Sequence, residues 1–248
     1  EPYLTPTVTR SRDGGRTFAP ARPLGPFRSR VYDALKYGDE ILALAFENDA
    51  TEHYVGVRPE HVYALYASAD GGVHFRRRGE LPFDARGRAY GTMERLADGR
   101  LITYVYDIAD EYRPDYVLSE DGGYTWSAPA KTYLAKKIRN PQLARYADGY
   151  FLHGRSGSMG AEAGHLVLYF STDGIHWDEG RYLRLREAGA GAYSNNLVVG
   201  AGARGPGKLL IQASHAYREN RTNVLHWFIK RRSEEHTSEL QSLGNVVC

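Results

Sequence analysis

The stretch SEDGGYTW, residues 119–126, decides how this chain folds. Asp-Gly-Gly is turn chemistry: glycine takes positive φ freely, and an Asp carboxylate accepts hydrogen bonds from the backbone N–H groups around it. Three near copies stand elsewhere: SRDGGRTF at 11–18, SADGGVHF at 68–75 and a shortened STDGIHW at 171–177. Their starts, at 11, 68, 119 and 171, are spaced by 57, 51 and 52 residues. A recurrence on this scale belongs to propeller blades and other repeat arrays, in which one supersecondary unit stacks on the next.

Working outward, each of the last three copies follows a run of apolar, aromatic and β-branched residues: HVYALYAS (61–68), PDYVLSE (114–120) and HLVLYFST (165–172). Their alternation predicts half-buried strands ending in hairpin turns. The closing aromatics, Phe18, Phe75, Trp126 and Trp177, are placed to fold back as apolar plugs.

A second repeat lies between the turns. RVYDALKYGDEILALAFEND (30–49), AYGTMERLADGRLITYVYD (89–107) and RNPQLARYADGYFLHGRSG (139–157) each read as strand, Gly-containing turn, strand. AYSNNLVVGAGARGPGKLLIQASH (192–215) is a fourth with a longer turn. Together the two repeats make a four-stranded antiparallel unit of about 50 residues, a propeller blade. No segment carries a convincing helical period with caps. The predicted fold class is all-β, a β-propeller of four-stranded blades over residues 1–231. About five blades are visible, the first lacking its opening strands, and six are expected in the complete molecule.

Composition agrees with a globular chain: of 248 residues, 42% are hydrophobic and 25% charged, with a formal net charge of +2. That balance gives no reason to expect nucleic acid or a membrane surface as partner. No apolar run approaches the ~18–20 residues of a membrane span. A single Cys248 excludes an internal disulfide framework. The opening EPYLTPTVTR has neither an initiator Met nor a signal-peptide pattern, so the natural start is expected to be missing. RSEEHTSELQS (232–242) reads like a translated DNA-sequencing adapter, and residues 232–248 are expected to lie outside the natural fold. No cofactor is expected; His153 and His215 lie at equivalent strand ends but lack metal-ligand spacing.

In a propeller the innermost strands line the axis, and loops at one end form the pocket. The inner-strand starts offer Arg30, Tyr32 and Asp33; Tyr90, Thr92 and Glu94; Arg139, Asn140 and Gln142; and Tyr193, Ser194, Asn195 and Asn196. Their second strands end at Glu47 and Asp49, Tyr106 and Asp107, His153 and Arg155, and Ser214 and His215. This is a polar set rich in arginine, carboxylate, phenol and amide.

At these residues the chain resembles the Asp-box, or bacterial neuraminidase repeat, proteins and the sialidase superfamily in particular. Their box is Ser/Thr-x-Asp-x-Gly-x-Thr-Trp. Ser119, Asp121, Gly123, Thr125 and Trp126 match it in full. Ser11, Asp13, Gly15 and Thr17 match with Phe18 for Trp, and the other two copies depart further. The boxes lie away from the ligand face and occur in glycosidases, lyases and non-catalytic propellers alike, so they speak for fold rather than function.

The resemblance implies a glycoside hydrolase that holds a sugar carboxylate with arginine forks and attacks with a Tyr, unlike most glycosidases, which use two carboxylates. AYSNNLVVG…GKLLIQAS is similar to the family's late Tyr-Ser-x-Leu strand pair, which makes Tyr193 the nucleophile. SRVYDALKYGDEILALAFE is similar to the segment opening on Arg-Ile-Pro, with Arg30 at the arginine and Val31-Tyr32 replacing Ile-Pro. RNPQLARYADGYFLHGR is similar to the pair that runs from a glutamate to a second arginine. Arg155 takes the arginine, and Pro141 stands near the glutamate. No third arginine of the family has a match.

Asp49 or Glu94 is expected to handle protons, with Glu94, Asp33 or Asp107 activating the phenol. Arg30, Arg139, Arg155, Asn140, Gln142, Asn195 and His215 are expected to bind a terminal, acidic sugar of a glycan. Two other functions fit the scaffold: a non-catalytic propeller binding glycan or protein, and a polysaccharide lyase using Tyr193 with His215.

Overall fold

A computed structural model of the protein describes residues 4–48, 60–157, 164–183, 193–200, 207–218 and 221–230. Asp49 and everything from 231 onward, the adapter-like tail included, lie outside the described residues. The chain divides into two compact units, one of residues 1–110 with 115–131 and one of 111–114 with 132–248.

The first unit holds a two-stranded pair, β1 (Thr7–Val8) with β2 (Arg22–Pro23), and two four-stranded sheets. One runs β3 (Ser29–Tyr37), β4 (Glu40–Glu47), β5 (Val62–Ser68), β6 (Arg76–Leu81). The other runs β7 (Arg88–Arg95), β8 (Leu101–Asp107), β9 (Asp115–Ser119), β10 (Ala130–Lys131). The second unit holds β11 (Arg139–Tyr146), β12 (Gly149–Arg155), β13 (Leu166–Ser171) and β14 (Arg181–Leu183), then the three-stranded β15 (Ser194–Val199), β16 (Lys208–Arg218), β17 (Arg221–Ile229). Every pairing is antiparallel between chain neighbours, which is the meander of a propeller blade.

The alternation expected of the strands before the Asp-Gly turns holds in β9 but not in β5 or β13, which are mostly buried. β8 and β12 are buried at every residue. Sheets that stack face to face cover both sides of a central strand, so LITYVYD has no solvent face to encode. In the first unit Leu42, Leu44, Phe46 and Leu65 of one sheet meet Met93, Leu101, Val105 and Val117 of the next. In the second unit Ala144, Phe151, Leu166 and Leu168 meet Leu209, Ile211 and Trp227. Each such Leu or Phe contributes about 1.5–3 kcal/mol by leaving water. β3 lies beside β7, and β11 beside β15, so the first strand of each sheet is the one that meets its neighbour's first strand.

All four Asp-Gly stretches join a third strand to a fourth, or β1 to β2, and share one hydrogen-bond pattern. In 119–126, Gly123 N donates to Ser119 Oγ (2.7 Å), and Asp121 Oδ1 accepts from Ser119 Oγ and from Tyr124 N and Thr125 N (2.8, 3.0 and 2.9 Å). Thr125 Oγ1 then donates to Asp121 Oδ2 at 2.6 Å. Where the sequence departs from Thr, histidine fills the role: His74 Nδ1 lies 2.7 Å from Asp70 Oδ2 and His176 Nδ1 2.6 Å from Asp173 Oδ2. Trp126 packs on the core of its unit and Phe75 beside Leu24 and Tyr66, as plugs should. Phe18 does not; it is 61% exposed.

The turn at 119–126 also grips the sheet before it, Arg78 Nη1 donating to Gly122 O at 3.0 Å, and in the second unit Thr132 Oγ1 donates to Ile175 O at 2.7 Å. Register puts the box at one end of the first sheet and Arg30 at the other: Ser68 pairs with Ile41, whereas Val62 pairs with Glu47 and Glu47 with Ser29; the candidate Glu94 pairs with Ile102, itself paired with Leu118, and so lies at the box end of its own sheet.

Candidate functional site

The opening of the first strand is irregular in three sheets. The register shifts between Val31 and Asp33, between Ala89 and Gly91, and between Arg139 and Gln142. Within two of these bulges a non-glycine residue takes left-handed φ: Tyr90 at 46° and Asn140 at 50°. Bulges re-aim side chains, and left-handed backbone in a large residue costs on the order of 1–3 kcal/mol, so such strain gathers at functional sites.

In the first unit Arg30 Nη1 donates to the Tyr90 hydroxyl at 3.0 Å, and the Tyr90 ring lies 5.0 Å from that of Tyr32. Asp33 reaches from β3 to β7, accepting from Thr92 Oγ1 at 2.7 Å and Met93 N at 2.9 Å, and also from Ala34 N at 2.8 Å. Burial pushes the Asp33 carboxyl up to about 6 against these three bonds, and the charge of Glu94 adds to the rise. Glu94 itself is half-buried and accepts from Arg95 N at 2.8 Å. Asp107 is committed elsewhere. With Asp115 it forms a four-charge cluster with Arg88 and Lys131 across the ends of all four strands, Lys131 Nζ lying 3.2 Å from Asp107 and 2.6 Å from Asp115.

In the second unit Arg139 and Arg155 are register partners across β11 and β12, and both are largely buried. Arg139 Nε lies 3.2 Å from Glu111 Oε1, with about a tenth of either side chain exposed. Asn140 is 3% exposed, and neither end of its amide has a hydrogen-bond partner among the described residues. The bulge that carries it rests on Gly154, where an added β-carbon would lie 2.5 Å from Arg139 O and 3.1 Å from Asn140 O. Gln142 is half-buried and its amide turns back to Pro141 O at 3.1 Å.

Tyr193, 40% exposed, immediately precedes β15 and bonds to Ser214, its N–H donating to the Ser214 side-chain Oγ at 3.0 Å and its carbonyl accepting from Ser214 N at 2.8 Å. Next to it Ser194 Oγ meets His153 Nδ1 at 2.9 Å, so Tyr193 lies at the same end of its sheet as Arg139 does of its own. Asn195 is exposed and pairs with Gln212. His215 pairs with Asn223 in β16 and β17, and its side chain lies outside the described residues.

The structure therefore places Arg30 at Tyr90 in one unit but sets Glu94 at the opposite, Asp-box end of β7, and it gathers Arg139, Asn140, Gln142, Arg155, Tyr193 and Asn195 in the other unit. Glu111 is the residue that sequence reasoning missed. It sits in ADEYRPD, an acidic loop with no motif, and only the pairing of Glu111 O with Ile138 N brings it to Arg139.

The sequence matches no protein-family model and no curated protein. Solved structures are similar. A protein of unknown function from Dyadobacter fermentans aligns over 92% of this chain and 68% of its own, at 16% identity and TM-score 0.65. The NanB sialidase of Streptococcus pneumoniae aligns over 88% of this chain and 34% of its own, at 16% identity and TM-score 0.60. An α-L-arabinofuranosidase from Fusarium graminearum aligns over 80% of this chain and 62% of its own, at 16% identity and TM-score 0.54. The chain thus spans about two thirds or less of these relatives' lengths. At such identity the likeness speaks for architecture: the chain is an all-β protein of the propeller fold, built from four-stranded antiparallel blades, and its structural neighbours include sialidases and other glycosidases.

Proposed function

We propose that the protein is a sialidase-like glycoside hydrolase that removes a terminal acidic sugar from a glycan. The observation that carries this is Asn140. A buried amide with neither donor nor acceptor engaged costs roughly 1–3 kcal/mol, and it is held in left-handed backbone beside two buried arginines. An anionic, hydroxyl-rich ligand satisfies both needs at once, since guanidinium forks match carboxylate oxygens and an amide pairs with hydroxyl or carboxylate.

In this scheme Arg155 and Arg139 bind the sugar carboxylate, with Asn140, Gln142, Asn195 and His215 contacting the ring substituents. Tyr193 attacks the anomeric carbon while a general acid protonates the leaving oxygen. A phenol near pKa 10 is a poor nucleophile at neutral pH, so a carboxylate must take its proton as it attacks. Sialidases among the structural neighbours support the hydrolase class. The exposure of Tyr193 favours a second possibility, a propeller that binds acidic glycans without cleaving them.

A panel of chromogenic glycosides of sialic acid, glucuronic acid and arabinofuranose, offered to the protein encoded by the uninterrupted gene, separates these. Turnover of an acidic glycoside, abolished in Tyr193→Phe, is expected. Binding of the acidic sugars with no turnover selects the binding propeller, and turnover of the arabinofuranoside alone refutes the acidic-sugar assignment.

A further inference from the structure

The geometry points to His153 as a positioning residue: its imidazole ties the strand that Tyr193 leads into to the strand that carries Arg155, and so holds the attacking phenol in register with the carboxylate grip. The catalytic consequence rests on the role proposed above for Tyr193; the tie between the two strands does not.

Side chains two apart on a strand share a face, so His153 and Arg155 project from the same side of β12. β11 keeps the pairing, with Gln142 opposite His153 and Arg139 opposite Arg155. From β15 the residues that reach His153 are Ser194 and Asn196, both half-buried, whereas Tyr193 and Asn195 are exposed. Ser194 Oγ lies 2.9 Å from His153 Nδ1, and Asn196 Nδ2 lies 3.1 Å from His153 Nε2. The same amide nitrogen donates to Leu143 O of β11 at 3.3 Å. It donates to Nε2 as well, which leaves the Nδ1 proton for Ser194. Both ring nitrogens are engaged within the fold and the residue is 0% exposed, so His153 acts through its neighbours.

The bond to Ser194 falls at the residue next to Tyr193. On the other flank Tyr193 bonds to Ser214 through its N–H and its carbonyl, and Ser194 pairs with Ala213. Those bonds to β16 fix Tyr193 within its own sheet. The bonds of His153 and Asn196 fix that sheet against β11 and β12, where Arg139 and Arg155 stand. Apolar packing also joins the two sheets, but it is non-directional, so the hydrogen-bonded imidazole sets their offset near the site. Offset matters to chemistry: a misplacement of about 1 Å can cost on the order of a hundredfold in rate.

Asparagine and glutamine each replace one end of the imidazole. The amide of Asn reaches where Nδ1 stands and can donate to Ser194; that of Gln reaches where Nε2 stands and can accept from Asn196. Wild type, His153→Asn, His153→Gln and Ser194→Ala of the protein encoded by the uninterrupted gene are compared by crystallography and by turnover of a chromogenic sialic-acid glycoside. In His153→Gln and Ser194→Ala, Tyr193 is expected to shift against Arg155 by about 1 Å, with kcat at least tenfold lower and KM within twofold. His153→Asn is expected to keep Tyr193 in place and kcat within threefold. Equal kcat losses in the Asn and Gln variants, a loss confined to KM, or a Tyr193 that stays in place in all three overturns the proposal. A wild type that turns over no acidic glycoside removes the hydrolase function, and the position of Tyr193 then decides the tie. Movement in His153→Gln and Ser194→Ala but not in His153→Asn supports it, and no movement overturns it. Should His153→Gln fail to fold, Ser194→Ala cuts the same bond with the buried imidazole in place and decides in its stead.

Discussion

The imidazole of His153, on β12, is bridged to two residues of β15: its Nδ1 lies 2.9 Å from Ser194 Oγ and its Nε2 3.1 Å from Asn196 Nδ2. An amide nitrogen can only donate, so Nε2 accepts and the proton sits on Nδ1, donating to the serine. This is a neutral histidine with no room for a second proton.

A pH dependence follows. Burial lowers the His153 pKa from 6.5 to about 3. A base that is neutral when folded and protonated when unfolded favours unfolding as pH falls, so its stabilisation is present above 6.5 and is lost towards 3. The slope for one proton is at most about 1.4 kcal/mol per pH unit. Urea melts between pH 7 and pH 4 on wild type and His153→Gln should show a shallower acid decline in the variant, from a lower starting stability. Equal slopes would mean that His153 is not buried neutral.

Asp33 should act in the opposite direction. Its folded pKa of about 6 stands above the ordinary aspartate value of 3.8, so the ionised form is a burden near neutrality that lifts as pH falls through 6. A carboxyl-carbon NMR titration should find one aspartate with a midpoint near 6 that vanishes in Asp33→Asn. If every aspartate titrates below pH 4.5, the bond from β3 to β7 is made in some other way.

The Asp boxes should matter for stability and not for ligand. Asp121 accepts from Ser119, Tyr124 N and Thr125, and the Thr125 hydroxyl bond leads the causes that hold its carboxyl well below the usual range. Asp121→Ala should lower stability by on the order of 1–2 kcal/mol, the scale of a lost helix cap, while sugar affinity stays within twofold. His74→Thr, which supplies the hydroxyl found at Thr17 and Thr125, should be nearly neutral. A sugar-binding defect in Asp121→Ala would put the box at the ligand end, against the strand register.

Gly154→Ala gives the converse outcome. Its new methyl meets backbone carbonyls of Arg139 and Asn140, which cannot rotate away. Overpacking of this kind costs about 1–3 kcal/mol and should displace the Asn140 bulge, so acidic-sugar affinity falls with stability. A variant with wild-type melting and binding would show that the bulge does not rest there.

Most of the fold was legible in the turns. Asp-Gly punctuation located each third-to-fourth-strand connection, and the inner segments at 30–49, 89–107 and 139–157 became β3–β4, β7–β8 and β11–β12. Alternation held in β9 and misled in β5 and β13, because a strand covered on both faces has no polar side. RTNVLHWFI, which is β17, begins inside the polar RENRTN and carries neither an Asp box nor a repeat signal. β10, two residues long, is too short to carry one. The site was legible only where it lies at strand starts, as with Arg139 and Asn140. Glu111 was not, because its contact with Arg139 comes from a loop crossing between elements rather than from any local pattern. The left-handed backbone of Tyr90 was equally silent, since nothing in RAYGT distinguishes it from an ordinary strand opening.

The central claim is that the strand-end cluster at Arg139, Asn140 and Arg155 receives the carboxylate of an acidic sugar. A crystal structure of the protein soaked with sialic acid, and separately with glucuronic acid, tests it most directly. The account predicts a sugar carboxylate within about 3 Å of a guanidinium of Arg139 or Arg155, with the Asn140 amide bonded to the ligand. Sugar bound only at the Asp-box end of the sheets, or an Asn140 amide that pairs with ordered water while the acidic sugars find no place at the arginines, would contradict it.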